Sequence, residues 1–244
     1  MEFINFNHVS KSFFSEKQET KVLDDISFSI EKQEIVAILG PSGCGKSTIL
    51  NLINELCEPT GGEIRINGKL GYMFQKDCLM SWRNIYKNVT IGLEIKKDKS
   101  KESEKFAREL MKKYQIQEFS SYYPNELSGG LRQRVSLIRT LVLKPDVLLL
   151  DEPFSKLDFQ TRLLVQDDVY AIIRNENISA LMVTHDIEEA IALSDRALIL
   201  SNRPTKIKKE IRFGFEKDEK PTDRRRNPLF SEYFNEIYQA INAE

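Results

Sequence analysis

Gly40, Gly45, Lys46 and Ser47 stand in the spacing of a phosphate-binding loop, G-x-x-x-x-G-K-[ST], within the run Gly-Pro-Ser-Gly-Cys-Gly-Lys-Ser-Thr at residues 40–48. The glycines let backbone N–H groups approach phosphate oxygens without a Cβ in the way. A helix that follows such a loop offers its positive end to the same charge. In this arrangement Lys46 reaches the β- and γ-phosphates of a nucleoside triphosphate and the Ser47 hydroxyl holds Mg²⁺. Pro41, Ser42, Gly43, Cys44 and Thr48 complete the loop. A second group of residues fits the same chemistry. The apolar run 147–150 ends in Asp151 and Glu152. An acid at the end of a neighbouring strand can hold Mg²⁺ through water, which suits Asp151. Glu152, one residue on, can orient or polarise an attacking water. A third group is Ser128, Gly129 and Gly130, a hydroxyl and two bare backbone N–H groups at the head of an apolar-periodic segment at 131–143. That is a further anion site of the helix N-terminus kind.

These residues need elements to hold them. Residues 34–39 form a short apolar run that reads as a buried strand, and Ile49, Leu50, Leu52, Ile53 and Leu56 recur at helical spacing over 46–56. Strand, glycine loop and helix are thus in the order that a triphosphate requires. Ile26, Phe28 and Ile30 alternate with polar residues, a half-buried strand, and residues 63–66 and 71–75 also read as strands. Residues 84–143 are mostly helical in pattern, with 96–105 as a highly charged, solvated stretch. From Pro145 strand and helix alternate: 147–150, 159–174, 179–184, 187–193 and 197–200. Such alternation implies a parallel sheet with right-handed crossovers. Residues 215–228, which include Arg224, Arg225 and Arg226, read as a polar linker. Leu229, Phe230, Tyr233, Phe234, Ile237, Tyr238 and Ile241 then give a terminal helix an apolar stripe, for its own surface or for a partner.

Composition narrows the class. With 41% hydrophobic and 30% charged residues, the 244-residue chain can build a full core. Its net charge of −1 gives no field favouring nucleic acid or an anionic membrane. No apolar run approaches the roughly 20 residues of a spanning helix, and the first residues lack the pattern of a secretory signal. Cys44, Cys57 and Cys78 are unclustered, which fits a reducing cytoplasm. Cys44 reads as a small packing residue, with sensitivity to alkylation as the alternative. Of the two histidines, His8 reads as an ordinary strand residue. His185, at the end of the apolar segment 180–183, reads on its own first as structural.

Taken together and in order, these motifs resemble the ATP-binding-cassette (ABC) family of transport ATPases over roughly residues 2–210. Residues 40–48 match its Walker A loop, Gln75 the glutamine between core and helical subdomain, 127–133 its signature, and 147–153 its Walker B strand. Residues 155–158 resemble the D-loop, ending in Asp158, and His185 the switch histidine. Phe13 falls where the family stacks an aromatic on adenine, with Phe14 as the fallback. The resemblance implies one α/β nucleotide-binding domain over 1–244. Its fold would be that of a P-loop NTPase with a parallel-sheet RecA-like core, an N-terminal antiparallel β subdomain and a helical subdomain inserted at about 78–140. Residues 215–244 would form the linker and C-terminal helix. It implies ATP and Mg²⁺ as cofactors. Glu152, His185 and Gln75 would be catalytic, Ser47, Gln75 and Asp151 would hold the metal, and nucleotide would contact Phe13, residues 40–48, Ser128, Gly129, Gly130 and Asp158. It also implies a head-to-tail homodimer, in which ATP on Lys46 of one copy is closed over by Ser128 and Gly130 of the other. Two positions depart from the usual pattern: Leu131, where many members have glutamine, and Lys156, where the D-loop usually has a small residue.

Within the family, residues 80–84 (Met-Ser-Trp-Arg-Asn) resemble the segment of importers for nitrate, sulfonates, taurine and related solutes, including pyrimidine precursors of thiamine. The expectation is therefore an ATPase at the cytoplasmic face of the cell membrane, docked on separate permease subunits and served by an external solute-binding protein. Trp82 either anchors the helical subdomain or contacts the permease. An exporter or lipoprotein-release cassette is the near alternative. A soluble ATPase acting on nucleic acid is the distant one: no coiled coil separates Ser47 from Ser128, a single cassette is present, and the charge is near zero.

Overall fold

The computed structural model describes residues 2–15 and 18–242. Met1, Ala243 and Glu244, the ends of the expected 1–244 domain, lie outside the described residues.

Two sheets organise the chain. Strands β1 (Glu2–Ser15), β2 (Gln18–Glu31) and β4 (Gly61–Ile66) form an antiparallel sheet in the order β2-β1-β4. The second sheet joins β5 (Leu70–Met73), β6 (Val147–Asp151), β7 (Ser179–Thr184), β3 (Ile35–Leu39), β8 (Arg196–Leu200) and β9 (Ile207–Arg212), in that spatial order. The five strands from β5 to β8 are parallel, and β9 closes the edge antiparallel to β8. Strands covered on both faces read as continuous apolar runs, and β3, β7 and β8 are buried at every residue.

The pleat divides the core in two. Ile35, Ala37 and Leu39 face a cluster built with α5 (Gly129–Leu141), α6 (Phe159–Asn175) and α7 (Ile187–Leu193). Val36 and Ile38 face the other cluster, with α1 (Lys46–Ile53) and the antiparallel sheet. Side chains alternate across a strand, so one short run serves both layers. The helical region between β5 and β6 adds α2 (Ile85–Val89), α3 (Ile91–Ile95) and α4 (Lys101–Lys113) ahead of α5. Ser100 caps α4 through its hydroxyl, and Glu102 and Glu104 sit in its first turn, where they complement the helix dipole.

Several expectations change. The loop helix ends at Ile53 rather than 56: Asn54 closes it, and Leu56 is left exposed. The signature helix starts two residues earlier, at Gly129, because Ser128 supplies its cap. His8 is not an ordinary strand residue. It has φ 51°, at a break in register between Phe6 and Val9, and its Nδ1 lies 2.6 Å from Asp25 Oδ1. Gly62 accommodates that irregularity: with φ 78°, a Cβ there would lie 2.2 Å from the His8 carbonyl oxygen.

The largest correction concerns residues 215–228, which form no free linker. They contain the short helix α8 (Pro221–Arg224), and Arg224 is 1% exposed. Its guanidinium lies over the rings of Tyr170 and Phe215, 4.9 and 5.2 Å from their centroids. It donates to the Ser194 carbonyl at 3.0 Å and the Tyr170 hydroxyl at 2.7 Å. Stacking between aromatic faces lets a weakly hydrated guanidinium be buried without a carboxylate. The final helix, α9 (Pro228–Asn242), buries Phe230 and Ile237 against the chain's own core. Each such side chain contributes roughly 2–3 kcal/mol.

Candidate active site

The candidate residues converge because four parallel strands end at one edge of the sheet. Leu39 pairs with Thr184, Asp151 with Val183 and Met73 with Leu150, so β3, β7, β6 and β5 finish side by side. The segments that follow them carry, respectively, the glycine loop, His185, Glu152 and Gln75. Ligands of open α/β sheets bind at such carboxyl ends.

In the loop, Gly43 and Gly45 have φ of 75° and 115°. A Cβ on Gly43 would meet nothing within 4 Å, so its backbone conformation and an open approach are what call for glycine. A Cβ on Gly45 would lie 2.9 Å from a Val22 methyl, and one on Gly40 2.9 Å from Cys44 Sγ. The Lys46 ammonium is buried and donates to the carbonyls of Gly40 at 2.7 Å and Pro41 at 2.9 Å. An ammonium has three donors, so two carbonyls leave one for a phosphate oxygen. Ser47 is exposed in the first turn of α1, and Thr48 beside it is half-buried. Cys44 is buried, and burial pushes its thiol above the usual range; the structure places it as a packing residue.

The carboxylates have distinct surroundings. Burial pushes the Asp151 carboxyl up, with Glu152 adding to the effect; the Tyr72 hydroxyl, donating at 3.0 Å, and Lys46 oppose it. A cation beside Asp151 would relieve that desolvation, and the oxygen donors of Ser47, Gln75 and Asp151 are of the hard type that Mg²⁺ takes. Glu152 holds φ 44°, a left-handed conformation costing on the order of 1 kcal/mol for a non-glycine residue. Its N–H donates to the Val183 carbonyl at 2.9 Å, which fixes the turn and aims its carboxylate back over the strand ends. Gln75 Nε2 donates to Glu152 Oε2 at 3.0 Å, and His185 Nδ1 lies 3.3 Å from Glu152 Oε1. Gln75, Glu152 and His185 are therefore brought together, although 110 residues separate the first from the last (185 − 75).

Other expected residues sit on other elements. Ser128 caps α5, its hydroxyl accepting from the Leu131 N–H at 3.4 Å. Gly130 lies against α6, where a Cβ would approach Val165 to 2.9 Å. Asp158 caps α6, accepting from the Thr161 N–H at 3.0 Å. Phe13 is 45% exposed on the β1–β2 arm with Lys11 4.9 Å above its ring, and Phe14 beside it is more exposed still. Gln75, Gly129, Gln133, Pro153 and Lys156 help line a cavity of about 260 Å³ between the signature helix and the strand ends. There the Gln133 side-chain amide donates to the Pro153 carbonyl.

Sequence reasoning missed Tyr72 as the partner of Asp151, and Arg132 and Arg139 of α5. Arg132 Nε donates to Asp77 Oδ2 at 3.0 Å, while Arg139 donates to the carbonyls of Asp77 and Cys78, each at 2.7 Å. Their spacing of seven on one helix face was the available signal.

The comparisons with known proteins agree with this geometry. The family profile described as ABC transporter matches residues 23–155. The chain is 40% identical over 252 residues to the uncharacterized ABC transporter ATP-binding protein YtlC of Bacillus subtilis, covering 100% of this chain and 97% of that protein. It is 39% identical over 250 residues to the aliphatic sulfonates import ATP-binding protein SsuB of Bacillus cereus, covering 98% and 94%. A solved dimeric structure of the ATP-binding cassette MJ0796, in a post-hydrolysis state bound to ADP and Pi, superimposes with a TM-score of 0.72. It shares 29% identity, with coverage of 87% of this chain and 100% of that one. The chain belongs to the ABC transporter family, as an ATP-binding subunit that hydrolyses ATP in support of transport. No helix among the described residues is long and apolar enough to cross a membrane.

Proposed function

We propose that this cassette energises an importer for small sulfonate-like solutes, working as a head-to-tail pair docked on separate permease subunits. The observation that carries the reading is the display of Trp82, 74% exposed on a loop braced from within. Asn88 is fully buried, and its side chain accepts from the Met80 N–H at 2.7 Å. It donates to the carbonyls of Met80, Arg83 and Asn84 at 3.1, 2.9 and 3.1 Å. A buried amide used in this way holds a loop in one shape, and an exposed indole on a rigid loop is an interface anchor. The likeness to SsuB supports a sulfonate-type solute, and an external binding protein would deliver it.

The reading gives the site's residues these roles. Lys46 and the N–H groups of residues 40–48 bind the phosphates, and Phe13 stacks on the adenine. Ser47, Gln75 and Asp151 hold Mg²⁺, which when bound offsets charge on the β- and γ-phosphates. Glu152 takes a proton from the attacking water, and Gln75 and His185 keep its carboxylate on line. Ser128, Gly129 and Gly130, far along the chain from Lys46, close over the γ-phosphate held by the partner copy, with Asp158 at the shared edge. A permease helix seats beside Trp82 and fixes the cassette at the cytoplasmic face of the membrane.

The test is cross-linking from Trp82→Cys to a cytoplasmic loop of the co-expressed permease, with uptake of an alkanesulfonate by vesicles carrying the complex. A cross-link whose yield changes with ATP supports the reading. A cassette that purifies free of membrane subunits in gentle detergent, with no cross-link, overturns it.

A further inference from the structure

Glu189 is a carboxylate on α7, 3% exposed, and no cation of the described residues lies within ion-pair distance of it. It accepts two hydrogen bonds, from Thr184 Oγ1 at 2.8 Å and from Gln166 Nε2 at 3.2 Å. The same Thr184 hydroxyl accepts from the Asp186 N–H at 3.1 Å. One oxygen therefore ties both neighbours of His185, and the acceptor Glu189 fixes which way its proton points. Gln166 is fully buried on α6, and its other amide atom, Oε1, accepts from Arg225 Nη2 at 2.5 Å. A guanidinium can only donate, so Arg225 dictates the orientation of the Gln166 amide and turns its NH₂ toward Glu189. Arg225 bears a desolvation cost to stand there: its Nε and Nη1 are buried without hydrogen-bond partners among the described residues. Arg224, buried between Tyr170 and Phe215, roots the segment, and Thr222 N–H donates to Asp167 Oδ1 at 3.0 Å.

We propose that Glu189 is a positioning residue for His185, and that Arg225 of the C-terminal segment sets it through Gln166, so that the seating of residues 221–226 tunes ATP hydrolysis. The proposal rests on the assignment of His185 to the hydrolytic centre. Glu189 acts through Thr184 and touches no nucleotide. Burial pushes its carboxyl up to about 7 and the Thr184 hydroxyl opposes that; Asp186 adds to the rise, while Arg162 of α6 and His185 lower it. Arg225 faces it from the C-terminal segment, with Glu188 and Asp167 also near that guanidinium. As the carboxylate, Glu189 accepts both bonds; as the acid it must use one oxygen as a donor, and the Thr184–Gln166 arrangement breaks.

The experiment uses the full chain, with steady-state kcat and equilibrium MgATP binding measured for Arg225→Met, Arg225→Lys, Glu189→Gln, the Arg225→Met/Glu189→Gln double variant and His185→Ala. Arg225→Met and Glu189→Gln should each lower kcat roughly tenfold with MgATP affinity within about twofold of the parent, as expected when a catalytic group is misplaced rather than removed. Residues acting through one network are not additive, so the double variant should fall no further than the worse single one. Arg225→Lys, which can also only donate, should recover part of the loss. In the parent, kcat should fall as pH drops through about 7, and Glu189→Gln should lack that limb. Additive losses, a retained limb in Glu189→Gln, or a normal kcat in Arg225→Met while His185→Ala is inactive would overturn the proposal alone. A normal kcat in His185→Ala would remove the role of His185, and the proposal with it.

Discussion

Replacing Glu189 by glutamine should stabilise the fold at alkaline pH even as it impairs turnover. Burial raises this carboxyl from its ordinary 4.5 to about 7. Between those values the folded chain keeps a proton that the unfolded chain has released, so stability falls as pH rises through that window. Below it the group is protonated in both states and the effect vanishes; above it the full penalty stands. The displacement amounts to roughly 3 kcal/mol against the ionised form, at about 1.4 kcal/mol per tenfold change. Glutamine carries no charge and escapes the penalty. It also puts an NH₂ in place of one of the two accepting oxygens, losing one hydrogen bond worth about 1 kcal/mol. The variant should therefore be about 1 kcal/mol less stable than the parent well below pH 4.5, about equal to it near pH 5 and about 2 kcal/mol more stable near pH 8. For a chain of this size the latter is a rise in Tm of roughly 4–8 °C. Thermal unfolding of both proteins across that range, compared at each pH, reads the difference while cancelling all other titrations. A difference that stays flat from about pH 5 to about pH 8 would refute the reasoning.

Glu152→Gln should retain MgATP binding while turnover drops on the order of 10²–10⁴-fold, since the base is lost but Lys46 and Asp151 remain; near-normal phosphate release would remove Glu152 from the chemistry. Ser128→Arg should bind MgATP almost as the parent does yet fail to hydrolyse it, because the lesion acts on the partner's nucleotide. Loss of binding in the folded single chain would count against head-to-tail pairing. Asn88→Ala should loosen the loop that carries Trp82. As this is the chain's one tryptophan, its fluorescence anisotropy should fall and its quenching by acrylamide should rise, and unchanged values would show that the loop holds its shape without the brace.

Much of the site was legible because its chemistry is local in sequence. The glycine loop, the strand ending in Asp151 and Glu152, and the segment ending before His185 each join an apolar run to a polar end, and the structure places all three at one sheet edge. What could not be read was set by contacts distant along the chain. The meeting of Gln75 with Glu152 depends on β5 pairing beside β6, which no periodicity specifies. Residues 215–228 look like a linker because charge and proline dominate them. Arg224 is buried only because Tyr170 and Phe215 present their faces to it, and neither ring announces this in composition. The break at His8 was hidden for a related reason: φ above zero is expected of glycine, and here histidine adopts it with Asp25 as support.

The grip of Arg132 and Arg139 on residues 77 and 78 has a mechanical consequence. Asp77 lies two residues past Gln75, and both arginines belong to the helix that Ser128 caps. Gln75, touching Glu152, and Ser128, at the head of α5, are thus two ends of one hydrogen-bonded linkage that passes through Asp77. In the paired arrangement proposed above, the first end reads whether a γ-phosphate is present in the chain's own site, and the second clamps the site across the interface. A loss of phosphate on one side would then be felt as a slackened clamp on the other.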